Sequence, residues 1–422
     1  MSEPSPVPEH LLRSHSTSVR AVHISEDNER LYSGDSSGLV IITSTRTLRA
    51  LAKWAAHTDS LLGIEEWSER VITHARDHKL HVWKTLEDVP PTSKIGGSAV
   101  VSEAQAPTLC YSMDVNALNY CRFSLLGLRK TFDTSALPPG REEDPSNARP
   151  SAEHQSQCLI ALPNLVESSL ADVWVLPSCQ RVHAAIGKPP TQGTMADGRG
   201  AAGLIMSMHL FFAEVASAEA TSSTAKMDEL RLLCAYENGS VTLRRYADST
   251  NSYSIEGRGW EIIWTAKLHA ETIMSMRVSR GNSFALSTSA DHLVGRYDLK
   301  SSSASGSVVF RTKYPGNGAV AIRHDGRVCA IGGWDGKIRL YSSKSMKSLG
   351  TLNYHKKACQ AIEFAHGSET LMSGEPIADE DDDGDDDDGF GDVEKSTRKR
   401  WLIGGSEDGR LSIWVLIDFT RG

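Results

Sequence analysis

Fifteen histidines, scattered serines and many aspartates are the first residues of this chain that could carry chemistry. An imidazole between a hydroxyl and a carboxylate is the pattern of nucleophilic catalysis, and clustered imidazoles hold divalent metals. Spacing argues against both. His15, His57, His269 and His355 each stand just before a strand-like run, and none reads as the helical zinc pair of a metalloprotease. The string GRGAAG (198–203) has the letters of a dinucleotide phosphate loop. A Pro- and Gly-rich stretch precedes it and the β-like LIMSMHLFF follows, so the strand–turn–helix context is missing. Nine acidic residues in DEDDDGDDDD (379–388) lack the spaced ligands and closing Glu of a calcium loop. They read as a solvated insertion, with a lure for a basic partner as the functional alternative and the basic KSTRKR (395–400) beside them. Asn238–Gly239–Ser240 is a glycosylation sequon in form and reads more simply as a hairpin.

The elements behind these residues repeat. THARDHKLHVW (73–83), STSADHLVGRY (287–297), IGGWDGKIRLY (331–341) and GGSEDGRLSIW (404–414) superimpose, with an Asp followed six residues later by Trp or Tyr. Apolar alternation around each Asp predicts two strands, and the Asp-Gly steps at 335–336 and 408–409 predict two-residue hairpins. Weaker copies begin at His15, in DVNALNYCRFS (114–124) with CLIALPN and ADVWVLPS, and in GLIMSMHLFF (203–212) with LRLLCAYENGSVTLRRY. The count is seven.

These segments resemble WD repeats. The resemblance implies an all-β fold, a seven-bladed WD-repeat β-propeller with loop insertions, occupying residues 1–422 as one unit. Approximate insertions are expected at 130–155, 213–229 and, acidic, at 374–400. It also implies buried structural tetrads: His57, Thr73, Asp77 and Trp83 in the second repeat, and His269, Ser287, Asp291 and Tyr297 in the fifth. An imidazole and backbone N–H groups would satisfy the Asp while the hydroxyl and the ring close the network. An early strand near His10–Ser14 is expected to pair beside LSIWVL (411–416), closing the ring and removing its free edges. Arg76 and Trp334, each next to a hairpin Asp, are the candidate partner-binding residues. For Trp334, packing on a neighbouring blade is the competing expectation.

More specifically, THARDHKLHVW, VNALNYCRFS with ALPN, and residues 330–365 are similar to the ASTRA-associated protein 1 family, which itself resembles G-protein β-like proteins. The resemblance implies a non-catalytic scaffold subunit of the nuclear ASTRA complex. That assembly is involved in chromatin remodelling and in maturation of phosphatidylinositol-3-kinase-related kinases, with pontin- and reptin-type ATPases and kinase cochaperone subunits as partners. The alternatives are a substrate adaptor of a ubiquitin ligase and a G-protein-β-like signalling scaffold. Pro4, Pro6 and Pro8 oppose the second, since a coiled-coil helix for a γ partner would have to run through them.

Composition sets the outer limits. Removing the nine acids of 379–388 from 53 leaves 44 acidic against 45 basic residues, a nearly neutral body with no nucleic-acid groove expected. No run of 18 apolar residues suggests a membrane span, and the first residues lack a signal core. Seven scattered cysteines without a C-x-x-C pair fit a reducing compartment, nucleus or cytoplasm. No enzyme activity, cofactor, metal or small-molecule substrate is expected.

Overall fold

The computed structural model describes residues 6–85, 106–128, 157–189, 202–216, 226–248, 250–367 and 392–417. Each blade is a four-stranded antiparallel sheet, and seven such blades form one ring. In the first blade, Val19–Ile24 is innermost, followed outward by Arg30–Asp35, Leu39–Ser44 and Ala50–Ala55. The inner strands buried on both faces explain the short, nearly continuous apolar runs in the sequence. Apolar clusters lie between blades: Ala21, Tyr32, Val40 and Trp54 of the first pack on Leu61, Ile64 and Val71 of the second. A blade therefore has no finished core without its neighbour.

Ring closure is made by His10–Leu12, which joins the last blade with His10 opposite Ile413 and Leu12 opposite Leu411. A second device repeats at the blade junctions. The turn glycine of one blade packs on the carbonyl of the next blade's histidine. A Cβ on Gly38 would stand 1.9 Å from the His57 oxygen, and one on Gly336 2.3 Å from that of His355. Both glycines have positive φ, so conformation and contact each demand glycine there. At the closing seam Gly409 meets the His15 carbonyl in the same way.

One expectation changes. The third blade's inner strand is Ser124–Gly127, not residues 114–124; Thr108–Asp114 is instead the outer strand of the second blade. Residues 115–123 form a loop because Asn116 and Asn119 use their side chains on backbone N–H groups two residues ahead, which a strand ladder would have claimed. Of the insertion expected over 213–229, residues 213–216 and 226–229 are strand, and 217–225 lie outside the described residues. Ile205–Ala216 and Lys226–Tyr236 pair without a break from Ser207 to Ala216, which makes this the longest pair of strands among the described residues. The acidic insertion expected over 374–400 ends in a helix, Asp392–Arg398. Within KSTRKR, Arg398 is buried and donates to Glu29 (3.0 Å) and Thr45 (3.1 Å), which docks the helix on the first blade. The acidic run 379–388, the insertion at 130–155 and most of GRGAAG lie outside the described residues.

Candidate partner-binding mouth and the buried networks beneath it

In the second blade the His57 Nδ1–H donates to both Asp77 oxygens at 3.0 Å, while Thr73 Oγ1 stands 2.8 Å from Nε2. The Trp83 indole N–H donates to the same hydroxyl oxygen at 2.8 Å. In the fifth blade His269 meets Asp291 at 3.1 Å and Ser287 at 2.7 Å, with Tyr297 3.0 Å from the Ser287 oxygen. Burial holds the His57 and His269 pKa values below the ordinary imidazole range despite the opposing pull of Asp77 and Asp291, so both rings are neutral.

Two further networks exist. In the first blade His15 bonds Asp35 (2.9 Å) and Ser33 (2.8 Å). The Asp sits two positions early, at the strand end, and Ser37 holds the usual turn site, its hydroxyl donating to Asp35 at 2.7 Å. Burial raises the Asp35 pKa, but bonds from His15 and Ser37 outweigh it and bring the value down to about 2. In the seventh blade His355 bonds Asp408 (3.0 Å) and Ser412 (2.8 Å), and Trp414 donates to Ser412 at 2.9 Å. The aligned hydroxyl position is Gly404; Ser412 lies directly opposite it on the next strand and supplies the oxygen from there. Sequence superposition missed this because the hydroxyl had crossed the sheet.

Each network has the hydroxyl–imidazole–carboxylate order of a nucleophilic triad. None can attack a substrate, because Ser33, Thr73, Ser287 and Ser412 are at most 1 % exposed. Gly34–Gly38 (GDSSG) has the letters of a nucleophile turn, yet its central Ser36 lies in a hairpin between two antiparallel strands where no helix follows. His57, Asp77 and His81 offer one ligand atom each within 4.8 Å. His57 already uses both ring nitrogens, Nδ1 on Asp77 and Nε2 on Thr73, and its ring stacks on His81 at 4.5 Å and 23°. These groups hold turns. Replacing Thr73 with Val leaves His57 Nε2 and Trp83 Nε1 buried without partners, at about 1–3 kcal/mol each. Urea denaturation should show a loss of about 2–5 kcal/mol, and Ser412→Ala should match it; a Thr73→Val midpoint equal to wild type would refute the assignment.

Above the networks, the channel widens into a cavity of about 500 Å³. Six inner strands carry a β-bulge just after their first residue, which re-aims the following side chain. The bulged residues, Arg20, Leu62, Met206, Met274, Gly318 and Gln360, all line the cavity. Four of them fall five residues after a network histidine (His15, His57, His269, His355), a spacing legible in the sequence and not used above. Arg76 and Trp334, on separate turns, line the same cavity. The Arg76 guanidinium stacks 4.7 Å over Tyr120. Trp334 is 47 % exposed and lies on Gly316 and Gly318 of its own blade, where an added Cβ would come within 2.8 and 3.1 Å of the indole. It thus packs and faces solvent at once. Deeper, Arg122 meets Glu65 at 2.7 Å and Arg277 meets Glu363 at 3.3 Å. Burial, with Arg122, His366 and Arg277 nearby, holds the pKa of His23 far down and keeps it neutral.

The family model described as WD domain, G-beta repeat matches residues 6–43, which span the closing strand and the first three strands of blade one. ASTRA-associated protein 1 of Aspergillus flavus is 30 % identical over 98 % of this chain and 98 % of its own. The chain belongs to the ASTRA-associated protein 1 family. Its Verticillium alfalfae relative is 29 % identical over 97 % and 93 % of the two chains, and that of Schizosaccharomyces pombe 27 % over 87 % and 95 %.

Proposed function

We propose that this protein is a non-catalytic scaffold subunit of an ASTRA-type assembly in the nucleus, serving chromatin remodelling and the maturation of phosphatidylinositol-3-kinase-related kinases. Pontin- and reptin-type ATPases and kinase cochaperone subunits are its partners, and the chemistry belongs to them. The observation that carries the reading is the end-to-end similarity to proteins named ASTRA-associated protein 1. The buried state of every network hydroxyl supports a structural over a reactive role. The mouth, with an exposed indole and a stacked Arg–Tyr pair, has the residue types that dominate protein interfaces.

The test is purification of the tagged chain from its native cells at mild salt, with mass spectrometry of the copurifying proteins. Recovery of the ATPases and cochaperone subunits is the expected result. Recovery of cullin-ligase subunits or a γ-type partner, with the ATPases absent, would refute the assignment.

A further inference from the structure

The ring's channel-mouth face is not uniform. Around Trp334, the loops and turns of the sixth and seventh blades present Lys313, Lys337, Lys356 and Lys357, three of them exposed and Lys337 half-buried. The carboxylates of that sector are already committed. Asp335 is held by Arg339 and Asp408 by His355, while Glu407 accepts from Gln360 and lies 3.7 Å from Arg20. Lys337 adds its charge to that of Arg339 beside Asp335, while Lys313, Lys356 and Lys357 make no ion pair among the described residues. The ammonium groups of Lys313, Lys356 and Lys357 therefore stand uncompensated in the sector that presents the indole.

That indole is prearranged. Gly316 and Gly318 form its floor; a Cβ at Gly316 would displace the ring and one at Gly318 would crowd it. Its turn also packs on the lysine loop, because a Cβ on Gly336 would lie 3.0 Å from the Lys357 carbonyl. Tyr314, 50 % exposed, extends the apolar surface and stacks on Arg339 at 4.2 Å. In the preceding blades, Met274 of the fifth and Met206 of the fourth line the same cavity and add flexible apolar contacts.

We infer that this sector docks an acidic peptide segment of a partner protein, with one aromatic or large aliphatic side chain laid on Trp334 and flanking carboxylates facing Lys313, Lys356 and Lys357. The inference rests on the scaffold reading and specifies the chemistry of one partner segment. An apolar anchor on a rigid aromatic supplies affinity, and the lysine ring supplies attraction and orientation.

The experiment uses the purified full chain and fluorescence anisotropy of a fluorescein-labelled peptide of Asp and Glu with a central Phe-Leu pair. Its twin carries Ser-Ser in place of Phe-Leu, and a single-stranded DNA of equal charge is the third probe. The Phe-Leu peptide should bind, and Trp334→Ala should weaken it by about tenfold or more. Lys356→Ser with Lys357→Ser should weaken it by about tenfold at low salt and less at high salt. The lysine pair is exposed and outside the core, so that variant keeps the test decisive if Trp334→Ala lowers the melting temperature. No binding of the Phe-Leu peptide, equal binding of its Ser-Ser twin, or tighter binding of the DNA would each overturn the inference. Failure here with the ATPases still recovered from cells would leave the scaffold reading standing.

Discussion

A chain ending at Arg400 loses its cooperative unfolding transition altogether. The cut removes two strands, Trp401–Ser406 and Leu411–Val415, in which Leu402, Ile403, Leu411 and Ile413 have no exposed surface and Trp401 and Trp414 almost none. At about 1.5–3 kcal/mol per large buried side chain, the loss is on the order of 10 kcal/mol or more. That equals the whole stability of an ordinary domain, about 5–15 kcal/mol. The damage spreads, because Cys359–Phe364 and His10–Leu12 both pair with the missing strands and His355 loses Asp408 and Ser412. Circular dichroism melts and size-exclusion elution of the truncated chain are the measurements. A sigmoidal melt from a monomer of native size would rule the expectation out.

Acid should weaken this ring from about pH 6.5 downward, through its buried imidazoles. Burial, with His57 adding to it and Asp77 opposing, pushes the His74 pKa down to about 3. Burial alone takes His183 to about 4. Both side chains are almost wholly enclosed, whereas in the unfolded chain an imidazole titrates near 6.5. Below that pH the unfolded state binds protons the folded state refuses, so stability is complete above about 6.5 and falls as pH drops toward the folded values. At pH 4.5 each histidine withdraws about 2–3 kcal/mol, some 5 kcal/mol for the pair. Asp35 acts in a lower window. Its depressed pKa stabilises the fold above about 3.8 and that contribution disappears only as pH falls through about 2. Urea midpoints measured from pH 7.5 down to 4.5 should decline continuously. A flat profile across that range would mean that these imidazoles are hydrated in the folded protein.

How much of this was legible in the residues depended on whether a repeat kept its letters in place. The second and fifth blades hold hydroxyl, Asp and ring at fixed offsets, and the structure gives those residues mutual hydrogen bonds. The first and seventh blades keep the same physics with the letters moved: Asp35 shifted along its strand, and Ser412 moved across to the neighbouring one. A one-dimensional offset cannot register a move across a ladder. The third blade hid its inner strand for a different reason. Asn116 and Asn119 bend an apolar stretch into a loop, and the four-residue strand that follows is too short to alternate visibly. Of the candidate site, Arg76 and Trp334 could be picked out as residues the networks do not need. The bulge that turns Arg20, Met206 and Met274 into the mouth is a backbone irregularity with no letter of its own.

The pairing of His10 with Ile413 has a consequence for biosynthesis. Once synthesised, the strand His10–Leu12 waits for a partner about 400 residues downstream, which at about 5–20 residues per second is roughly 20–80 s of synthesis. Throughout that interval the growing arc carries unpaired sheet edges and a blade face with nothing packed against it. Nascent chains of this protein are thus natural clients for holding chaperones, and slow or paused translation should lower its yield more than it would for a protein whose strands pair with near neighbours.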